Sequence, residues 1–313
     1  MQKERQKRFR FNDPLFEKVH TDATKRLQHQ SGDYYRATAD VRSYNISVRK
    51  MDREPVHLYK QNPYWKQARK YVYDSIGPRI IACTRVLQME EIIPTLERKA
   101  SAGVPLNKAG FKKKGQALDS VYCRAYFMKF DFGWEPVWKV VGKDEWYHMD
   151  DIDKEKVRTF IIPPLKFLIM QKRFFSAQDD ALRLFHWSAY GFNPYYGGVN
   201  RMAHKLLRNP IKICFDVGGW DRFLSILRRV YKLRLLGHYK KSDANVVKLA
   251  EWTAEKTCNT HIMLTDGTIV RKEHGNNSGS GETTPDNIVA HEFVTATNLL
   301  TLFEGDVGSV EES

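Results

Sequence analysis

No stretch of this sequence stays apolar for the roughly 20 residues that a membrane-spanning helix needs. The longest mostly apolar run, 160–170, is interrupted by Pro163, Pro164 and Lys166, so no integral membrane segment is expected. The basic start, MQKERQKRFRF, is followed by no apolar core, and a secretory leader is not expected either. Cysteine is scarce: Cys83, Cys123, Cys214 and Cys258 stand singly, without a Cys-x-x-Cys pair or a histidine at zinc-finger spacing. This excludes a disulfide scaffold and reads the thiols as small buried apolar groups. Acidic residues are in deficit, 37 against 51 Lys and Arg, leaving a formal net charge of +14 over 313 residues.

Aromatic residues are plentiful, with 7 Trp, 15 Tyr and 17 Phe, and 42% of the chain is hydrophobic, which excludes a compositionally disordered protein. The length suits one large domain or two coupled subdomains. Positive charge interleaved with aromatics suits a partner rich in phosphates, because each neutralised phosphate releases condensed counterions. A solvated basic surface would account for the charge alone equally well.

The first 95 or so residues show no repeat and no legible element. The glycine- and lysine-rich run ASAGVPLNKAGFKKKG, 100–115, predicts a loop beside something anionic. The Trp-, Phe- and Val-rich stretch after it, up to Lys143, predicts strands. Val157–Ile162 predicts another strand, ended by Pro163 and Pro164, and 165–184 a helix with Lys and Arg on its polar side. Ile211–Phe215 reads as a short strand ending at Asp216. After it, Phe223, Ile226, Leu227, Val230 and Tyr231 have helical spacing, with Gly237 as a natural stop. HGNNSGSG, 274–281, reads as a loop followed by a helix, with Thr284 as its cap, Pro285 in its first position and an end near Leu300.

Asp216, at the end of a predicted strand, is followed five residues later by Asp221, with Gly218 and Gly219 between them. Carboxylates at the C-terminal end of a strand point into the crevice above a sheet, where Mg²⁺ is held together with substrate phosphates. Taken alone, the pair is better read as a turn cap and a helix cap than as a metal site.

Ser278 and Gly279 are followed by Thr283 and, four residues further, by Asn287. With these residues the sequence resembles the RNA-dependent RNA polymerases of positive-strand RNA viruses. FDVGGWD, 215–221, is similar to that family's motif A, and GNNSGSGETTPDN, 275–287, to motif B. Lys143-Asp144-Glu145 with Lys156-Val157-Arg158 looks like motif F, and SAGVP, 101–105, looks like motif G, all in the order the family requires. GNNSG with the later Asp-Asn, and YYGGVNR at 195–201, are most similar to the astrovirus and potyvirus-like lineages.

The resemblance implies an α/β right-hand nucleic-acid polymerase without its thumb. Fingers with motifs G and F would occupy 1–205, a first palm segment with motif A 206–237, an insertion 238–273 and a second palm segment with motif B 274–313. It implies in-line attack of a 3′-hydroxyl on an α-phosphorus, assisted by two Mg²⁺ (or Mn²⁺) about 3.5–4 Å apart. Asp216 would be the catalytic metal ligand. Lys143, Lys156 and Arg158 would meet the triphosphate, Asp221, Thr283 and Asn287 the ribose, Ser278 and Gly279 the nascent pair, and Ser101, Gly103 and Pro105 the template. Asp221 stands where reverse transcriptases carry a bulky aromatic, which favours ribonucleotides. The implied partners are template and nascent RNA, rNTPs and other viral replication proteins. The implied setting is the host cell cytoplasm, at membrane-associated replication sites reached through those partners.

The family's Gly-Asp-Asp segment is not in the sequence; Gly305-Asp306-Val307, after Leu299, Leu300, Leu302 and Phe303, is the nearest match. The expectation is that 304–313 is an acidic loop after the helix and that the chain is a C-terminally truncated piece of a polyprotein. Such a piece would have negligible activity alone, since one carboxylate cluster cannot anchor two metals. The polymerase reading requires Asp216 and Asn287 to line one cleft; a non-enzymatic basic RNA-binding domain is the alternative.

Overall fold

The structure, a computed structural model, describes residues 34–36, 61–143, 146–148, 158–183, 188–208, 210, 217, 220, 225–306 and 308. Trp65, Ala68, Val72, Ile76 and Ile80 recur at three- and four-residue spacing and form the buried face of helix α1, Trp65–Cys83. The helix runs on through Pro78, because burial of this stripe offsets the lost backbone hydrogen bond. Helices α2 (Met89–Ile92), α3 (Lys114–Asp119) and α4 (Val121–Met128) follow.

Tyr34–Arg36 (β1) and Trp146–His148 (β3) pair antiparallel. Val137–Gly142 (β2), Thr159–Ile162 (β4), Thr260–Met263 (β5) and Ile269–Lys272 (β6) form a second sheet in the order β4-β2-β5-β6. β2 and β4 are an antiparallel pair, β2 and β5 run parallel, and β5 and β6 are antiparallel. Trp138 and Val140 alternate with more exposed neighbours along β2, so one face of the sheet is dry.

Pro163 and Pro164 end β4, as expected, and α5 (Leu165–Phe175) begins at once. This helix is buried nearly all round, all but Lys172 and Arg173, and joins three cores. Phe167 packs under the sheet with Trp138, Val140, Ile161 and Ile262. Leu165, Leu168 and Ile169 pack against Leu118, Cys123 and Phe127 of α3 and α4. Met170, Phe174 and Phe175 enter the largest core, with α1 and the later helices. Those are α6 (Asp179–Arg183), α8 (Leu227–Lys241), α9 (Ala244–Cys258) and α10 (Thr283–Leu302), whereas α7 (Gly198–Leu207) buries only Gly198 and contributes nothing to that core. α8 lies against α1 and α9, and α10 against α1.

Several expectations are corrected. Between the glycine-lysine loop and β2 the chain forms α3 and α4 rather than strands, because Leu118, Cys123 and Phe127 bury a helical face. The helix expected over 165–184 is two helices with a 3-10 turn, Ser176–Gln178, between them; there the chain turns its polar groups toward Arg234. Lys166 is not on a solvated face. It is buried with its ammonium 4.4 Å from the Tyr126 ring centre and 5.0 Å from that of Trp134, and burial lowers its pKa. Cys123 and Cys258 are buried as expected, but Cys83 is half-buried; Cys214 lies outside the described residues, as do the predicted strand 211–215 and Phe223. α10 starts at Thr283, one residue before the expected cap, and Pro285 sits within its first turn.

Gly305 does not turn between strands. Its N–H donates to Leu300 O at 2.8 Å with φ of 91°, a Schellman-type helix end, and its carbonyl accepts from Gln67 Nε2 of α1 at 2.7 Å. Val307 lies outside the described residues.

Gly237 does not stop α8 either; it is the point where α8 meets the end of α1. A Cβ there would lie 1.8 Å from Thr84 Oγ1, which already donates to Ile80 O at 2.6 Å and accepts from Gln178 Nε2 at 2.9 Å. Gly237→Ala gains up to about 1 kcal/mol of helix propensity and loses about 1–3 kcal/mol to overpacking. A net loss of about 1–2 kcal/mol is expected in urea unfolding, and unchanged stability would contradict this packing.

Candidate functional site

Two loops meet at the C-terminal end of β4. Gly103 has φ of 72°, and a Cβ on it would stand 2.7 Å from Pro163 O, so only glycine lets this loop lie against the chain. Its neighbour Ala102 accepts at its carbonyl from Leu165 N at 3.2 Å. Ser101 shapes the same loop: its Oγ accepts from Gly103 N at 3.2 Å and from Asn107 Nδ2 at 2.9 Å. Pro105 follows in a cis peptide. From another side, a Cβ on Gly279 would stand 2.2 Å from Ile161 O, so the Ser278–Gly279 loop also rests directly on β4. Ser278 itself is exposed.

The β2–β4 pair closes at Lys143 and Arg158, where Lys143 N donates to Arg158 O at 2.9 Å. Arg158 is exposed and Lys143 half-buried, so both cations stand at the mouth of this hairpin. Lys156 of the same predicted set lies outside the described residues.

The loop before α10 is held by its own polar groups. Thr283 Oγ1 donates toward Asn277 O at 2.7 Å and Ser280 O at 3.0 Å, which closes the loop and starts the helix. Asn277 Nδ2 donates to Thr260 Oγ1 at 2.8 Å, and the buried ammonium of Lys272 donates to Gly275 O at 3.2 Å and to Asn277 Oδ1. Gln171 of α5 reaches Ser280 Oγ and Thr257 Oγ1, both at 3.0 Å. Asn287, half-buried on the next turn of α10, accepts from Asn276 Nδ2 at 3.0 Å. The structure thus brings Ser101, Gly103, Ser278 and Gly279 to one strand end, with Thr283 and Asn287 on the helix behind. Asp216 and Asp221, and with them the cleft shared by Asp216 and Asn287, lie outside the described residues.

Beneath the loop lies a buried charge cluster that the sequence reading missed. Arg234 of α8 is fully buried and donates to Asp286 Oδ1 at 2.6 Å, Glu282 Oε2 at 2.8 Å and Asp179 Oδ1 at 2.9 Å. It also donates to Phe175 O at 2.8 Å and Gln178 Oε1 at 3.0 Å. Tyr231 OH donates to Asp286 Oδ2 at 2.8 Å, and Ser176 Oγ to Glu282 Oε1 at 2.7 Å. Burial works against the guanidinium charge, but Glu282, Asp286 and Asp179 outweigh it and hold its pKa well above the usual value. Burial, then the charge of Glu282, pushes Asp179 well above the ordinary carboxylate range. The only cue was an Arg at helical spacing from Leu227, Val230 and Tyr231, on an otherwise apolar face. These carboxylates are spent on Arg234, and among the described residues no group of three His, Cys, Asp or Glu side chains could hold a metal ion.

A mixed α/β fold and a glycine loop leading into a long helix fit a family of template-copying enzymes, and comparison with known sequences supplies the family. The profile described as "Viral RNA-dependent RNA polymerase" matches residues 41–311, and the chain belongs to that family. Its relatives include the genome polyprotein of Turnip mosaic virus (strain Japanese), 25% identical over 287 residues and covering 87% of this chain. The genome polyprotein of Plum pox potyvirus (strain El amar) is 27% identical over 228 residues, 70% of this chain, and that of Beet mosaic virus 28% over 219 residues, 66% of it. The chain spans 9%, 15% and 7% of those three polyproteins. The sequence is thus a potyvirus-like polymerase sequence of a positive-strand RNA virus.

Burial pushes the Asp286 carboxyl from its usual 3.8 up to about 6, against the pull of Arg234. Between these values the folded chain holds the proton and the unfolded chain releases it, so this group weakens the fold as pH rises from about 4 to about 6. The loss is on the order of 3 kcal/mol. Urea unfolding across this window is expected to show a decline that Asp286→Asn lacks; parallel profiles for the two proteins would contradict the assignment.

Proposed function

We propose that this protein is the fingers and palm of an RNA-directed RNA polymerase, adding ribonucleotides to a growing RNA strand on an RNA template. The observation that carries the reading is the meeting, at the C-terminal end of β4, of the Gly103 loop and the Ser278–Gly279 loop, with the cations of the β2–β4 hairpin at the other end of the same strand. In a right-hand architecture these are fingers elements of 1–205 and a palm element of 274–313, with 206–237 as the first palm segment and 238–273 an insertion.

Each residue then has a chemical task. Arg158 suits a phosphate because its planar fork engages two oxygens at once; Lys143 and Lys156 add point charge. Together they would bind the incoming triphosphate and the departing pyrophosphate. Asp216 supplies the hard oxygen donor that Mg²⁺ or Mn²⁺ prefers, and the metal, when bound, stabilises charge on the reacting phosphate. Asp221, Thr283 and Asn287 would recognise the ribose, and Asp221→Ala is expected to lower the preference for rNTP over dNTP in single-nucleotide incorporation. Ser101, Gly103 and Pro105 would guide the template, and Ser278 and Gly279 the nascent pair. Other viral replication proteins and membrane-associated sites in the host cell cytoplasm belong to the same proposal.

The net charge of +14 supports a second reading, a basic RNA-binding domain without catalysis. The two part at Asp216. In the full translation product that contains residues 1–313, Asp216→Ala is expected to reduce primer extension by about a thousandfold, equivalent to several kcal/mol of charge stabilisation. RNA affinity should hold within about twofold, since one carboxylate adds nothing to phosphate binding. Residues 1–313 alone are expected to bind RNA with negligible extension. Undiminished extension by the variant would sink the polymerase reading.

A further inference from the structure

Asn276 is 2% exposed, yet its carboxamide oxygen makes no hydrogen bond and is itself buried. Its amide nitrogen, in contrast, is fully used. Nδ2 donates to Thr283 O at 3.1 Å and to Asn287 Oδ1 at 3.0 Å. Both partners lie on the first turns of α10, so the side chain ties the loop to the helix face that carries Asn287.

The orientation of this contact is determined. Thr283 O is a main-chain carbonyl and only accepts, so the NH₂ end of Asn276 must face it. The same NH₂ group faces Asn287, which therefore turns its oxygen inward. A carboxamide has nearly the same shape either way round, and a half-buried asparagine offers a substrate a donor or an acceptor depending on which end its neighbour holds. Asn276 removes that choice. The frame behind it is stiff, because Arg234 grips Glu282 and Asp286, which flank Thr283 and precede Asn287.

We propose that Asn276 is a positioning residue for ribose selection: by holding the oxygen of Asn287 it makes Asn287 a hydrogen-bond donor toward a nucleotide's 2′-hydroxyl. The inference rests on the polymerase reading above. Its action is indirect, through Asn287 and not through contact with the nucleotide.

The test is single-nucleotide incorporation of ATP and dATP on a primed RNA template by the full translation product, read as the ratio of the two kcat/KM values. Asn287→Ala is expected to lower the ratio about tenfold, the worth of one hydrogen bond. Asn276→Ala is expected to lower it about as much, and to lower it no further in the Asn287→Ala background, because both changes remove one interaction. Asn276→Asp, of the same shape but with an acceptor opposite the Asn287 oxygen, should match Asn276→Ala. A wild-type ratio in both Asn276 variants beside a lowered ratio in Asn287→Ala would overturn the inference while leaving the ribose reading intact, as would losses that simply multiply in the double variant. Failure of both Asn276 variants to give a cooperative melting transition would make the residue structural and overturn it too. If Asn287→Ala keeps the wild-type ratio, the ribose reading itself fails and the inference falls with it.

Discussion

A guanidinium in a dry interior constrains everything around it. Arg234 carries a charge that burial strongly disfavours, and it is held by three carboxylates, a carbonyl and a carboxamide drawn from the α5–α6 junction and the start of α10. Each partner comes from a fixed place in the chain, so the segments are locked in mutual register. The cluster links α8 to the foot of the Asn-Ser-Gly loop, and so fixes where Thr283 and Asn287 lie. Excess negative charge in the cluster is relieved by raised carboxyl pKa values and by the Tyr231 hydrogen bond.

Above this anchor the chain comes together through absent side chains. Gly103 and Gly279 approach backbone atoms of 161–163 more closely than any Cβ allows, and Gly281 abuts the Leu168 side chain. Close backbone packing lets loops from both halves of the sequence share one strand end without intervening bulk. The family match over 41–311 includes this strand end.

Much of the local structure was legible. The proline pair marked the end of β4, the glycine-asparagine run marked the loop over 274–281, and apolar spacing from Leu227 marked α8. These signals act over a few residues. Helix α1 escaped because Pro78 and a mixed polar face hide a stripe that only its partners α8 and α10 make decisive. The stretch before β2 misled because its aromatic composition suits strands, whereas its burial pattern is helical. Gly237 misled for the opposite reason: a close approach by Thr84, not a turn, requires it.

Sequence alone determined the family resemblance, the loop-and-helix frame and the chemical character of the candidate site, because short motifs carry their own backbone geometry and functional groups. Only the tertiary structure decided which charged residues go inside. Arg234 meets Asp179, Glu282 and Asp286 from 55, 48 and 52 residues away, and Lys166 goes under Tyr126 and Trp134. A buried charge is stable only beside its partners, and no local pattern says where in the chain those partners are.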